Sequence, residues 1–524
     1  MTLSATKTID DTATPSRRWN WVDVALLIVA LAIAACVRFY FIDFDLTYDE
    51  LWHQGLSTGR GSSMSYFPHD VLITDPPRLT SVIGAPAWWH AWAGGMDGVL
   101  HPPLYVVTLR WWRDLLGDSD LVAISYSIAW SLVGVAFTFA AMRLATDRWL
   151  AFVTALAMGV SHTQSYFAQE VRGYSMLVGL GAIALWLLTR IEVVGVTRRR
   201  AIAAAMMTVP LLLTHYFAVG AAISIAVYGL IRLRGHRSAF VAALVGAALF
   251  YAAAWLPWAI QQIDDLGTGD AFMKSEFLLG RELAHIASAP MRLVVDRVYL
   301  VQPQWMAGGV LFVVPFLLVR RAPWLLPWVL WLSCTLLALL ALDLARSTQL
   351  VFMARYYAVA TPAVFMLVVG CAACVDRRIA YIVAITLAGM GGIYLISKSS
   401  VEGECPTFTS IERALDANIQ PGDGLIFYHG ILYTFTSDAL ALQISHSLKV
   451  FPRPIVLISG PMKPELVAQL PRRVWMVTGI FHEPVEAIVP GATLLKRVNP
   501  EINVCLLYLE LPELPTAATR PSAP

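Results

Sequence analysis

Charge is scarce in this chain. Only 14% of its 524 residues are Asp, Glu, Lys or Arg, and the formal net charge is +2. With no clustered basic stripe interleaved with aromatics, nucleic-acid binding is excluded. Cysteine is scarce as well. Cys36, Cys334, Cys371, Cys374, Cys405 and Cys505 are scattered, the first four within apolar stretches, which argues against a zinc ribbon or a disulfide framework. Cys371 and Cys374 have C-x-x-C spacing, but they enclose two alanines in an apolar run and read as packing residues, not a redox pair. What the chain has instead is apolar surface: 57% of its residues are hydrophobic and the mean hydropathy is +0.63. The bilayer is therefore its main solvent, and membrane lipid its first partner.

Residues 1–20 form a polar tail ending in Arg17 and Arg18, before an apolar run over 22–42. That run is long enough to span the hydrocarbon, and no small-residue cleavage site follows it, so it reads as a retained first helix. Basic residues in short loops favour the cytoplasm and place the N-terminus inside. Further runs at 121–142, 150–166, 173–188, 202–213, 217–230, 240–260, 306–319, 325–342, 350–374 and 379–396 alternate so that Arg143, Arg148, Arg190, Arg198–Arg200, Arg232, Arg234, Arg237, Arg320, Arg321, Arg377 and Arg378 all fall on one side. The expectation is a multi-pass protein of the cytoplasmic (inner) membrane with about eleven transmembrane helices. Between the first two, the tryptophan-rich segment with Trp88, Trp89, Trp92, Trp111 and Trp112 predicts helices lying along the interface.

After residue 396 the composition becomes that of a soluble domain. Apolar runs at 425–428, 454–458, 474–477 and 504–509 predict strands, the turn signal Pro421-Gly422-Asp423-Gly424 precedes the first, and 411–417 predicts a helix. The organisation read from sequence is a cytoplasmic tail (1–20), a transmembrane domain (21–396), an extracytoplasmic α/β domain (397–515) and a disordered end (516–524). Cys405 and Cys505 lie near the two ends of the α/β domain, where an oxidising compartment would permit a disulfide between them.

Under this topology five polar clusters fall at the outer face. Asp43, Asp45, Asp49 and Glu50 follow helix one; of the adjacent carboxylates Asp49 and Glu50, one can face a site while the other serves a helix N-terminus. His101-Pro102-Pro103-Leu104-Tyr105 holds His101 extended and sets Pro103 to open a helix, whose free N–H groups suit an anion. Gln169-Glu170-Val171-Arg172-Gly173-Tyr174 turns the chain between two spans, His215-Tyr216 ends another, and Arg355-Tyr356-Tyr357 lies several residues inside a late apolar run. Each cluster alone also fits a solvated loop, an ion pair or a structural histidine. Together they argue for one site, because polar groups beside lipid are costly unless paired or wet. Carboxylates, histidines and arginines there suit a lipid-linked anionic substrate, arginine matching phosphate geometry.

In this ordered set the sequence resembles the C-type membrane glycosyltransferases related to protein O-mannosyltransferases and lipid A aminoarabinose transferases, especially bacterial members of glycosyltransferase family 39. Val106 departs from the family, which commonly has a second tyrosine after HPPLY. The resemblance implies an inverting transfer of a hexose or pentose from a polyprenyl-phosphate-linked donor to a glycan, lipid or protein acceptor at the extracytoplasmic face. It also implies Asp49 as the catalytic acidic position. Physical reasoning adds Glu50 and Glu170 as further candidate catalytic carboxylates, His101, Arg172 and Arg355 as donor-phosphate ligands, and Tyr105, Tyr174, His215 and Tyr356 as supporting residues. Carboxylate and histidine can hold a divalent metal, as in some related enzymes, but spacing defines no ligand set here. The alternatives are a transporter of a lipid or small anionic solute and a noncatalytic assembly protein. The former predicts polar or broken helices near the midplane and repeated halves, whereas charge here gathers at one edge.

Overall fold

A computed structural model describes residues 19–42, 46–61, 68–74, 78–93, 101–269, 278–295, 301–398, 408–428, 446, 454–458, 460–479, 484–501 and 504–512. Among them, six helices are long and apolar enough to cross a membrane: Trp21–Tyr40, Asp120–Ala145, Tyr174–Val194, Arg234–Ile260, Leu325–Arg346 and Ala354–Val375. Three shorter apolar helices, Arg148–Gly159, Tyr216–Arg232 and Gly309–Leu318, fall on other runs expected to span.

The helix ends follow from local sequence. Asn20 caps the first span in a capping box with Asp23, and Asp23, fully buried, also accepts from Arg143 at 2.8 Å. This pairing ties the first span to the end of Asp120–Ala145 and satisfies a carboxylate that would otherwise be costly to bury. Asp147 caps the next helix through the N–H groups of Trp149 and Leu150. The apolar run expected over 350–374 is not one helix. It consists of 3-10 turns at Leu350–Phe352 and Ala354–Ala360, with Tyr357 off helical geometry, followed by the α-helix Thr361–Val375.

The chain forms two compact units. The first comprises Met1–Ile42, Leu100–Tyr105 and Ile124–Ser400; the second comprises Asp43–Val99, Val106–Ala123 and Val401–Pro524. Residues that follow the first span thus share a compact unit with the C-terminal region. In that unit six strands, β1 (Leu72–Ile73), β2 (Gly424–Tyr428), β3 (Ile455–Ile458), β4 (Arg473–Gly479), β5 (Thr493–Glu501) and β6 (Val504–Glu510), form one sheet in the order β1-β3-β2-β4-β6-β5. β2 is parallel to both β3 and β4, while β1, β5 and β6 pair antiparallel to their neighbours. The expected strands at 425–428, 454–458, 474–477 and 504–509 are all present, and the expected helix is Phe408–Asn418. β5 was not expected from sequence. Its run Thr493-Leu-Leu-Lys-Arg-Val is neither alternating nor wholly apolar, and its ladder to β6 is broken by register shifts. β1 is only two residues long and pairs with β3, far away in sequence, so no local pattern announces it. Ile426, Val456, Ile458, Val474, Met476 and Leu507 build the core on one face of the sheet.

Cys371 and Cys374 are not disulfide-bonded. Cys505 is buried in β6, whereas Cys405 lies outside the described residues, as do Asp43 and Asp45.

Candidate functional site

Eight of the ten residues singled out from sequence belong to the first unit, where the structure brings them together. The helix His162–Gln169 stops at Glu170, which is extended, and Arg172 N–H donates to the Glu170 carbonyl at 2.8 Å before Tyr174 opens the next span. Gly173 packs against Thr214 and the Cβ of Tyr105 at 3.5–3.6 Å from where its own Cβ would stand. That close approach brings QEVRGY and HPPLY against the end of the helix Thr208–Thr214. His215 follows that helix in extended backbone, and its ring lies 5.4 Å from His101, 5.7 Å from Tyr174 and 5.0 Å from Phe217. Phe217 in turn meets Tyr356 at 4.5 Å. Tyr105 is anchored by its hydroxyl to Ser127 Oγ at 3.0 Å and by its ring to Tyr126.

The charges sit on this aromatic chain. The Arg172 guanidinium lies 4.9 Å from the Tyr174 ring centre, and that of Arg355 lies 5.2 Å from the ring centre of Tyr356. Tyr174 interacts electrostatically with Arg172, Arg355, Glu170 and Tyr356 alike, and the two arginines repel each other. Glu170, Arg172 and His215 are buried, as are the Tyr105 and Tyr174 rings. The repulsion between the two guanidiniums, beside buried groups where water screens little, is relieved by an anion. His215 Nδ1 accepts from Phe217 N–H at 3.2 Å, so a neutral His215 carries its proton on Nε2. The expected helix after His101 begins at Leu104, one residue past Pro103.

Asp49 and Glu50 belong to the second unit, on the helix Tyr48–Thr58. Glu50 is the capping-box residue: its Oε2 accepts from Thr47 N–H and Thr47 Oγ1, both at 2.8 Å, and it is 5% exposed. Of the two readings open for the adjacent carboxylates, Glu50 therefore serves the helix N-terminus. Asp49 lies beside it, and its carbonyl accepts from Nδ1 of His53, a buried residue one turn on. In the same unit His446 joins Thr80 Oγ1 at 2.7 Å to the Asp120 carboxylate at 3.1 Å, and Gln54 Nε2 also donates to Asp120 at 3.1 Å. Among the described residues, no group of three or more His, Cys, Asp or Glu is arranged to hold a metal ion.

No family model and no curated protein sequence matches the chain. Its structure is similar to that of ArnT from Cupriavidus metallidurans in the apo state, with a TM-score of 0.55 and 13% identity over 93% of this chain and 98% of ArnT. The same transferase bound to undecaprenyl phosphate matches with a TM-score of 0.52 and 12% identity, over 93% of this chain and 97% of that one. The chain has the GT-C fold.

Sequence reasoning missed the residues that brace the turn preceding Arg355. Asp343 is fully buried and accepts from Thr348 Oγ1 at 2.7 Å, Leu350 N–H at 2.6 Å and Val351 N–H at 3.0 Å. Those bonds pin the turn after Ser347, which has a left-handed φ of 54°. Arg292 continues the brace: it donates to the Phe352 carbonyl at 2.6 Å and lies 5.0 Å from the Phe352 ring centre. The detectable signal was an Asp at the end of an apolar run, seven residues before a second run containing an arginine. An acid in such a place needs donors, and the nearest are the amides of the following turn.

Proposed function

We propose that the protein is a membrane glycosyltransferase that moves a sugar from a polyprenyl-phosphate-linked donor to an acceptor hydroxyl at the extracytoplasmic face of the membrane. The observation that carries this reading is the pair Arg172 and Arg355, both within electrostatic reach of the buried Tyr174 ring. Like charges so placed cost energy in the absence of an anion and are stabilised by one. The fold agrees, since a solved ArnT of the same architecture binds undecaprenyl phosphate. In the proposed reaction the acceptor oxygen attacks the anomeric carbon as the bond from that carbon to the phosphate oxygen breaks, which inverts the stereochemistry. The polyprenyl phosphate leaves as an anion stabilised by Arg172 and Arg355, with His101 and the start of Leu104–Leu116 assigned to the same phosphate. Asp49 is assigned as the base that takes the acceptor proton, on its sequence context and on the use of its neighbour Glu50 as a cap. Glu170 orients Arg172.

The test is transfer of radiolabelled sugar from a panel of polyprenyl-phosphate donors to extracted membrane acceptors. Arg172→Ala and Arg355→Ala are expected to lose donor-dependent transfer while eluting as folded protein. Asp49→Asn is expected to bind donor and fail to transfer. Full transfer by either folded arginine variant would remove the phosphate site from the mechanism, and full transfer by Asp49→Asn would remove the proposed base.

A further inference from the structure

The helices Arg198–Met206 and Arg237–Gly269 enclose a groove of about 530 Å³. Arg198, Ile202 and Met206 line one side at four-residue spacing, and Ala242, Gly246 and Phe250 lie on the other, so each helix gives the groove a single stripe. The second stripe is cut into its helix by small residues: no described protein atom lies within 4 Å of the position a Cβ on Gly246 would take. The groove is apolar along its length and basic at its mouth. Of the six candidate spans, Arg234–Ile260 is the least covered by protein, with 17% of its apolar window buried, so lipid is what this face meets.

Both helices begin at the basic end. Trp255 Nε1 donates to Tyr216 Oη at 2.9 Å, which sets the far end of the second helix level with the segment that follows the first. The two helices therefore run parallel, and Arg198, Arg199 and Arg200 lie at the same end as Arg234 and Arg237. None of these five arginines has a carboxylate partner among the described residues; the nearby Glu192 is taken by Arg232 at 2.8 Å. Arg200 donates to the Gly195 carbonyl and Arg237 to the Leu230 carbonyl, which holds two of the five in place at the mouth.

We infer that this groove binds an anionic phospholipid, with its phosphate on the arginine cluster around Arg198 and one acyl chain laid along Ile202, Met206 and Gly246 toward Phe250. Guanidinium groups match phosphate oxygens, the two helix N-termini add positive potential, and basic recesses between membrane helices recognise such headgroups. The positive-inside rule assigns this end to the cytoplasmic leaflet, so the site is separate from the proposed sugar transfer and does not rest on it.

The full-length protein, reconstituted in equimolar phosphatidylcholine and phosphatidylglycerol, is probed with spin-labelled phosphatidylglycerol and spin-labelled phosphatidylcholine, reading the motionally restricted fraction of each. The wild type is expected to prefer phosphatidylglycerol. Arg198→Gln is expected to lower that preference about five-fold, the effect of roughly one basic residue at a lipid surface. Gly246→Leu, which fills the groove without meeting described protein atoms, is expected to lower the restricted fraction of phosphatidylglycerol with unchanged thermal unfolding. Arg320→Gln is expected to leave the preference intact. No preference in the wild type, or an undiminished restricted fraction in Gly246→Leu, overturns the site. An equal loss in Arg320→Gln shows diffuse surface attraction and overturns it as well, and so does displacement of the labelled lipid by inorganic phosphate, which would show an anion site with no acyl chain.

Discussion

The spans Ala354–Val375 and Arg234–Ile260 are built from similarly apolar sequence, yet 72% of the first window is buried inside the protein against 17% of the second. The first carries Arg355 at its broken N-terminal end, over the Tyr356 ring, with the turn just before it held by Asp343 and Arg292. The second leaves apolar side chains such as Val245 and Leu249 exposed. Hydropathy identifies both as spans but does not tell them apart, because a helix surrounded by protein and a helix surrounded by acyl chains satisfy the same solvent condition. The candidate residues Arg355 and Tyr356 lie on the buried one, where a charge can be held by protein donors and acceptors.

The largest expected difference between them is functional. Arg355→Ala should lower sugar transfer by about two to three orders of magnitude if its charge stabilises the departing phosphate. Arg234→Ala, on the exposed span, should leave the transfer rate unchanged, and the same radiolabel assay reads both. Packing comes next. A Cβ on Gly370 would stand 2.8 Å from the Trp324 ring and 2.9 Å from the Trp328 ring. Gly370→Leu should thus destabilise the protein by about 1–3 kcal/mol, visible as a lower unfolding temperature in detergent, whereas Gly246→Leu should not. A comparable Tm for the two would erase the distinction between buried and exposed span.

Asp343 sharpens the comparison further. Asp343→Ala removes the acceptor of three hydrogen bonds behind Arg355 and should cost about 1–3 kcal/mol of local stability. As a positioning residue, Asp343 should show its effect in the donor dependence: Asp343→Ala is expected to raise the donor KM more than it lowers kcat, with partial rescue in Asp343→Asn. A fall in both the amount of folded protein and its activity, with KM unchanged, would reduce Asp343 to a stability role.

The smallest effect concerns pH. His285, on the helix Leu279–Val295 that packs against the buried span, has its pKa pushed down to about 4 by burial and by the charges of Arg292 and Arg281, with Asp343 opposing. Its Nδ1 accepts from Arg292 at 3.1 Å, which requires the neutral ring. The unfolded chain takes up this proton near the ordinary value of 6.5. Stability from the neutral His285 is therefore fully present above 6.5 and is lost as pH falls from 6.5 toward 4. The unfolding temperature should drop across that window, and His285→Gln should flatten part of the drop. No change in slope would remove His285 from the acid response.

Much of the candidate site was legible because its residues break a local pattern. An arginine inside an apolar run, as at Arg355, or a Glu-Val-Arg-Gly turn between two spans, as at Glu170–Gly173, stands out against its neighbours. The Asp49–Glu50 pair was legible as a pair, but only the capping box decided which member serves the helix. Asp343 left a signal that was not used, whereas Phe217 and Arg292 were not legible: phenylalanine in a membrane protein carries no signal, and Arg292 meets a carbonyl and a ring supplied by a separate element. β1 escaped for the same reason, since its partner β3 is several hundred residues away and two residues establish no period.

The sequence by itself determined which runs are apolar enough to leave water and where the C-terminal sheet begins, because these depend on hydropathy and alternation within a few residues. Only the tertiary structure decided which spans face protein and which face lipid, and how His101, Tyr174, His215 and Tyr356 come to share one aromatic chain beneath two arginines. Those outcomes depend on contacts between separate segments, about 40 residues apart for Tyr174 and His215 and more than a hundred for His101 and His215, whose energies exist only once the chain has closed on itself.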